Sequence, residues 1–448
     1  MKDRFGQIFR IHPGEFGLVA LLGFSLFLNA LAQQVSEITA VSNFLSEGGV
    51  NQILLVWSVS AVIILLTMAL QSLIIDKFSR KKVVQWILVG YVFAFGGLRF
   101  LFFIGAPEGL NYALLYLLAE QQWLLFPVVL WILANDVLDL AQAKRLFPII
   151  AGGDFAGKLF GIVFSGIAPQ ILKLVPGIVL QDLLLFNATL YLLVFVFMWV
   201  GLRNIRIRQS AKTQETMRET LVEGWEFIRE VQAFRFLALV ILSVLVVDTI
   251  VEFRFLVVTD SFYFNEPARY QTFYSIYNLI KVIASLLIQT LIVSRIMTSA
   301  KLKNVFMAEP IGALLSTFWA LFVPGLTGAI GSIYTLKLPQ LTIGDSARRS
   351  FKALVPEERR GRVSIFMDSY LFATGTLIGC GLAGAVIFAG NLLAFSYAFY
   401  VYIGLALVSG IIGIWAALKI RTVYDQSLLN WRLKRRQRGK SVFDKLDF

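Results

Sequence analysis

Apolar residues run along this chain in continuous blocks, not in alternation. Blocks of about 20 or more recur from end to end, punctuated by Gly, Pro and clustered charge, and each is long enough to cross a hydrocarbon core of about 30 Å. Continuous runs predict helices, whereas a transmembrane barrel needs alternating positions and is excluded. Length and punctuation place twelve spans at about 15–38, 52–75, 83–104, 110–133, 148–172, 180–202, 235–262, 270–294, 303–323, 326–346, 363–388 and 392–418. The expected fold class is an all-α polytopic membrane protein.

Composition agrees. Of 448 residues 58% are hydrophobic, above the roughly 45–50% of soluble domains. There is one cysteine, Cys380, and one histidine, His12, so a disulfide framework, a Cys/His metal cluster and a His-based catalytic triad have no material. No cofactor is expected. His12, beside Pro13, reads as a helix-start residue. The N-terminal "MKDRFGQIFRIHPGEFG" lacks the short apolar region and small-residue cleavage site of a signal peptide.

The net charge of +13 changes the picture only through its distribution. One side of the predicted membrane, taking the termini and the even-to-odd connections together, holds 34 of the 41 Lys and Arg. The other side holds Lys173 and Arg269, and the rest lie within spans. The positive-inside rule then predicts two cytoplasmic termini in a bacterial inner membrane. The excess charge is a topology signal, so no nucleic-acid partner is expected. The lipid bilayer is the expected partner, and the tail "RLKRRQRGK" adds about 1 kcal/mol per cation near anionic headgroups.

The longest polar insert, 203–234, divides the chain into six spans and six. Expected boundaries are an N-terminal bundle over 1–202, a cytoplasmic linker over 203–234, a C-terminal bundle over 235–420 and a basic tail over 421–448. The halves resemble each other weakly. "QSLIIDK" (71–77) closes the second span and "QTLIVSR" (289–295) the eighth; Asn29 and Gln33 match Asp248 and Glu252; Pro127 matches Pro339; Asp154 matches Asp368. Such duplication in a membrane protein points to a transporter with its site between the repeats.

"SLIIDKFSRKK" (72–82) resembles the loop motif between the second and third spans of the major facilitator superfamily. Asp76, Lys77, Arg80 and Lys81 are in place, while Ser72 and Ser79 stand for the two usual glycines. The resemblance implies two pseudo-symmetric six-helix bundles and a cytoplasmic gate held by the loop acid, with Asp76, Arg80 and Asp368 as gate residues. "AKRLFPIIAGGDFAGKLFGIVFSG" (143–166) and "ALVPEERRGRVSIFMD" (353–368) resemble segments of the ATP/ADP translocase family and its bacterial relatives. That narrower resemblance implies a nucleotide substrate.

Lys158, Lys281 and Lys337 each lie about ten residues from a span end, near the midplane at 1.5 Å per residue. A lysine reaches about 6 Å, too short to snorkel to water along lipid. A midplane charge costs at least about 2.5–3.5 kcal/mol, so it should face a cavity or a partner. The facilitator resemblance places their three spans around a central cavity, where converging ammonium groups suit an anion, phosphate in particular. Glu120, Asp154, Asp248 and Glu252 supply acids, Asn29 and Gln33 hydrogen bonds, and Tyr277 and Tyr334 stacking rings. Asp154 is one turn before Lys158, so the two can pair until an anion competes. Fixed interhelical pairing is the alternative for all these charges. The glycines of "GGDFAG" lack the setting of a phosphate loop and are expected to allow close helix packing.

The expected protein is a monomeric secondary transporter of a small anionic substrate, ATP and ADP foremost, working by alternating access. It is not expected to be an enzyme. The alternatives are transport of another organic anion and a non-transporting scaffold or receptor on the same fold.

Overall fold

The computed structural model describes residues 12, 15–203, 217–264, 266–299, 302–352, 355, 362–393 and 397–443. The described residues are almost all helical. In chain order the helices are α1 (Phe16–Gly48), α2 (Ile53–Lys77), α3 (Arg80–Phe103), α4 (Glu108–Val137), α5 (Leu140–Leu174), α6 (Leu183–Gly201), α7 (Met217–Glu230) and α8 (Gln232–Phe262). Then come α9 (Pro267–Ile288), α10 (Ser294–Ser299), α11 (Leu302–Val305), α12 (Ala308–Phe322), α13 (Gly325–Pro339), α14 (Asp345–Lys352), α15 (Leu371–Leu392) and α16 (Ala398–Phe443). With no water in a bilayer core, every backbone N–H and C=O must pair within its own segment, and a helix does this.

Among the described residues eleven helical stretches are long and apolar enough to cross a membrane. The remaining predicted span, the tenth at about 326–346, is α13, joined through a π turn (Gln340–Gly344) to α14, whose "DSARRSFK" carries its charges. The protein is an integral membrane protein, and its outer faces carry exposed Phe93, Phe103, Trp199 and Leu286, as contact with lipid tails requires. Span ends shift outward from the sequence expectation. The first helix continues to Gly48 instead of residue 38, because Ser36, Thr39, Ser42 and Asn43 are buried against protein. Gly49, at φ 80, then ends it. Much of the expected linker, residues 204–216, lies outside the described residues, as do 356–361 and the last five residues of the tail.

The helices gather into two compact units. The first comprises Met1–Thr216 and Thr259–Val282, the second Met217–Val258 and Ile283–Phe448. In the first unit α1 is the buried centre, packed on α4, α5 and α6. The contact with α5 is backbone to backbone. A Cβ on Gly153 would lie 2.1 Å from the Gly23 carbonyl oxygen, one on Gly157 2.2 Å from that of Phe27, and one on Gly161 2.8 Å from that of Leu31. Glycines four apart thus form a stripe along α5 that admits the parallel α1, the small-residue packing expected of "GGDFAGKLFG". The second unit has a related close contact of the eleventh span with the seventh: a Cβ on Gly375 or Gly379 of α15 would lie 2.7 Å from the Cβ of Leu245 or Thr249 of α8.

A polar clamp fixes the start of the α1–α5 contact. Asp139 and Gln142 form a capping box at the head of α5. Gln142 and Arg145 both donate to Glu15 Oε1, at 3.0 and 2.8 Å, while the His12 amide donates to Oε2 at 2.9 Å. Burial pushes the Glu15 carboxyl up, but the hydrogen bonds from Arg145, His12 and Gln142, with the Arg145 charge, outweigh it and bring it from 4.5 down to about 2.

Gly157→Val forces a side chain into the Phe27 carbonyl and should cost at least about 1–3 kcal/mol, read as a lower unfolding midpoint in detergent. Gly152→Ala, with nothing within 4 Å of its new Cβ, should be neutral or stabilising in the same assay. Because the folded Glu15 carboxyl sits below its ordinary value, its stabilisation is present above pH 4.5 and lost as pH falls toward 2. A Glu15→Gln variant should be less stable at neutral pH and lack that component of acid sensitivity in a pH series of unfolding midpoints.

Candidate functional site

The α5 glycine stripe decides where its charges go. Asp154 and Lys158 each follow a stripe glycine by one residue, so they sit on the flank of the α1 contact. They pair at 2.8 Å, one turn apart, and each side chain keeps 31% of its surface exposed. This is a half-open ion pair near the middle of a membrane helix. In the same unit Lys281 of α9 lies 5.0 Å over the ring of buried Tyr277, a cation–π contact within one helical turn. Tyr277 ends a run of neighbouring rings, Tyr270–Tyr274 at 6.0 Å and Tyr274–Tyr277 at 5.6 Å. Gln271 Nε2 donates to the Ser165 carbonyl at 2.9 Å, and Thr272 Oγ1 to that of Gly166 at 3.0 Å, which holds this part of α9 against α5.

Other expected residues of this unit are placed differently. Asn29 is 1% exposed and lines no open surface. Its Nδ2 donates to the Gln122 carbonyl at 3.2 Å and its Oδ1 accepts from Tyr191 at 2.9 Å, while Gln122 donates to the Tyr191 hydroxyl at 2.7 Å. The three tie α1, α4 and α6 together through these hydrogen bonds. Gln33 is also buried, donating to Glu37 at 2.8 Å and accepting from Gln34 at 2.6 Å. Glu37, accepting also from Gln34 at 3.1 Å, is a mid-helix acid that span reading passed over. Glu120 is half-buried on α4.

In the second unit Lys337 is closed off. Its ammonium lies 2.8 Å from Asp248 Oδ1 and donates at 3.0 Å to Oδ2 and at 2.7 Å to Glu252 Oε2. Lys337 is 15% exposed, Asp248 12% and Glu252 30%. The expectation of three amines open to one anion therefore needs correction at this position. Two carboxylates one turn apart on α8 have claimed the lysine of α13, since an unpaired buried charge costs several kcal/mol. Tyr334, one turn before Lys337, is half-buried.

A second charge cluster in this unit was not anticipated. Glu309 of α12, 4% exposed, pairs with Arg348 of α14 at 2.5 Å, and Arg348 also meets Asp345. Gly344 makes room for it, since a Cβ there would lie 2.6 Å from Glu309 Oε2. These residues lie near span ends, where charge reads as topology. One signal was available: Arg348 lies nine residues past Pro339, as Asp136 lies nine past Pro127.

The expected gate residues divide. The Asp76 side chain lies outside the described residues. Arg80 Nε donates to Asp136 Oδ2 at 3.4 Å, joining the head of α3 to the end of α4. Asp368, in a π turn before α15, is 54% exposed and pairs with Lys352 at 2.6 Å. Arg99 pairs with Asp182 at 2.9 Å, and Arg254 stacks 4.2 Å over Phe399. Among the described residues no group of His, Cys, Asp and Glu is arranged to hold a metal ion.

The fold is similar to that of several solved membrane transporters. The chain is similar to the nucleoside transporter NupG at 15% identity and a TM-score of 0.62, covering 91% of this chain and 99% of that one. It is similar to an auto-inhibited peptide transporter of the POT family at 10% identity and 0.65, covering 91% and 96%. A bacterial homologue of the human lysosomal transporter Spinster matches at 13% and 0.60, covering 94% and 99%. No protein-family model and no curated protein sequence matches the chain. These likenesses establish the fold.

Lys337→Met leaves carboxylate charge unpaired in the bilayer and should cost about 3–5 kcal/mol. Adding Glu252→Gln should recover part of that loss in unfolding midpoints of the purified protein. A single variant as stable as the parent would dismiss the clasp.

Proposed function

We propose that the chain is a secondary transporter that moves a small anionic metabolite by alternating access. The observation that carries this reading is the Asp154–Lys158 pair, a partly exposed ammonium in mid-membrane balanced by a single carboxylate of its own helix. An incoming anion can displace Asp154 from Lys158, since each side chain keeps about a third of its surface uncovered by protein. A ligand shifts a conformation only through such differential contacts. Lys281 is the second candidate cation, with Tyr277 beneath it to meet a ring or sugar. Glu120 and Tyr334 stay in the candidate site as half-buried groups. Lys337, with Asp248 and Glu252, is assigned to holding the second unit together.

A nucleotide is the first substrate to test, on the resemblance of residues 143–166 and 353–368 to ATP/ADP translocases. The charge asymmetry of the loops supports cytoplasmic termini, with Arg80, Asp76 and Asp368 on the cytoplasmic side as gate residues. The halves at 1–202 and 235–420 are proposed to be the moving bodies.

Proteoliposomes loaded with ADP should take up labelled ATP. If they instead take up a sugar phosphate or dicarboxylate, the nucleotide assignment fails and the anion reading stands; uptake of no anion removes both. Lys158→Gln should weaken anion binding about 10- to 100-fold, the worth of a charge-assisted hydrogen bond. Unchanged affinity would remove Lys158 from the site.

A further inference from the structure

The helix α7 belongs to the polar insert between the two sets of spans, yet one of its faces is buried at Gly224, Phe227 and Ile228. A Cβ on Gly224 would lie 2.6 Å from the Cβ of Phe366, and the ring of Phe227 meets that of Phe234 edge to face at 4.9 Å. Phe366 and Phe234 both stand near the first residues of span-length stretches, Arg362–Leu392 and Gln232–Phe262. The helix therefore lies across the mouths of two spans and not out beyond them. The same level is marked a second time. Phe236, in the first turns of α8, packs edge to face on Trp415 at 5.8 Å, and the Lys419 ammonium lies 6.0 Å over the Trp415 ring. A half-exposed tryptophan with a lysine one turn nearer the chain end is the pairing that bilayer interfaces collect.

We propose that α7 is an interfacial helix, seated on the bilayer through a stripe of Val222, Trp225 and Arg229. Val222 and Trp225 are 45% and 60% exposed, and Arg229 is exposed one turn later. Their spacing of three and four residues puts them on one flank of the helix, beside the buried face. The exposed acids Glu226 and Glu230 lie further round. Water does not require that arginine stand beside tryptophan while glutamates are set apart. A lipid interface does: the apolar side chains enter the boundary of headgroups and acyl chains, the guanidinium meets lipid phosphate, and the carboxylates turn away from it. The occupant is lipid because the stripe lies at the level where the ends of α8 and of the span Ala398–Tyr424 already meet the interface. The linker is then tied to one leaflet at α7.

The test needs no substrate, so it stands or falls apart from the transport reading. Full-length protein carrying Cys380→Ala is reconstituted in vesicles of phosphatidylethanolamine and phosphatidylglycerol. A spin label on Val222→Cys should be relaxed more by oxygen than by a water-soluble nickel chelate, and a label on Glu230→Cys should show the reverse. A label on Val222→Cys that the chelate reaches as freely as one on Glu230→Cys places the stripe in water and overturns the proposal. A label that neither reagent reaches places it against protein and does the same. A second measurement keeps Cys380 and serves where its replacement does not fold. Lipid brominated near the headgroup end of its chains should quench the tryptophan emission that Trp225→Phe removes; emission that stays unquenched also overturns the proposal.

Discussion

A charge inside a bilayer must be paired or wetted, and this constraint organises the protein. Each midspan cation meets it in a different way. Lys337 is enclosed by two carboxylates of another helix, Lys158 leans on one carboxylate of its own helix and keeps a third of its surface open, and Lys281 rests on an aromatic face. Enclosure between helices is strong and hard to exchange, because releasing Lys337 would strand charge on α8. A local pair is weaker and easily exchanged. The difference separates a lysine that holds helices together from one suited to a ligand.

Beneath the charges lies a simpler contact used twice. The fifth span meets the first through Gly153, Gly157 and Gly161, and the eleventh meets the seventh through Gly375 and Gly379. Where lipid tails are as apolar as leucine, helices gain little by burying more leucine, and close backbone approach takes over. The glycines therefore place Asp154 and Lys158. Pressed against α1 on one side, α5 has a single flank on which a residue following each stripe glycine can emerge.

Helix number and position were legible because a bilayer imposes one length on every span. Boundaries were less so. The end of α1 looks polar from residue 36 onward, yet Ser36 and Asn43 are buried, since a helix inside a bundle can spend its polar residues on neighbouring helices. Individual sites were legible only as candidates. Asn29 and Gln33 occupy the spacing of Asp248 and Glu252, but the two pairs do different work. Asn29 bonds the Gln122 carbonyl and the Tyr191 hydroxyl, whereas Asp248 and Glu252 meet a lysine. Spacing reports which turn of a helix a residue occupies, and what stands opposite depends on packing. Glu309 and Arg348 were missed for the converse reason: near the end of a span, a buried ion pair and a topology signal have the same composition.

The duplication carries a final lesson about which property a repeat preserves. Arg80 at the head of α3 meets Asp136 near the end of α4; Glu309 at the head of α12 meets Arg348 in α14. Asp136 and Arg348 hold the same position relative to Pro127 and Pro339. The same hairpin is thus closed in both units by an ion pair, with opposite polarity. Two like charges facing each other cost more the deeper they are buried, so a pair of either sign is favoured over a mismatched one. The first pair is long, at 3.4 Å, with side chains 15% and 19% exposed, so water reaches it. The second is short and its glutamate is only 4% exposed. On that account the charge pair, whichever way round, is what the hairpin requires.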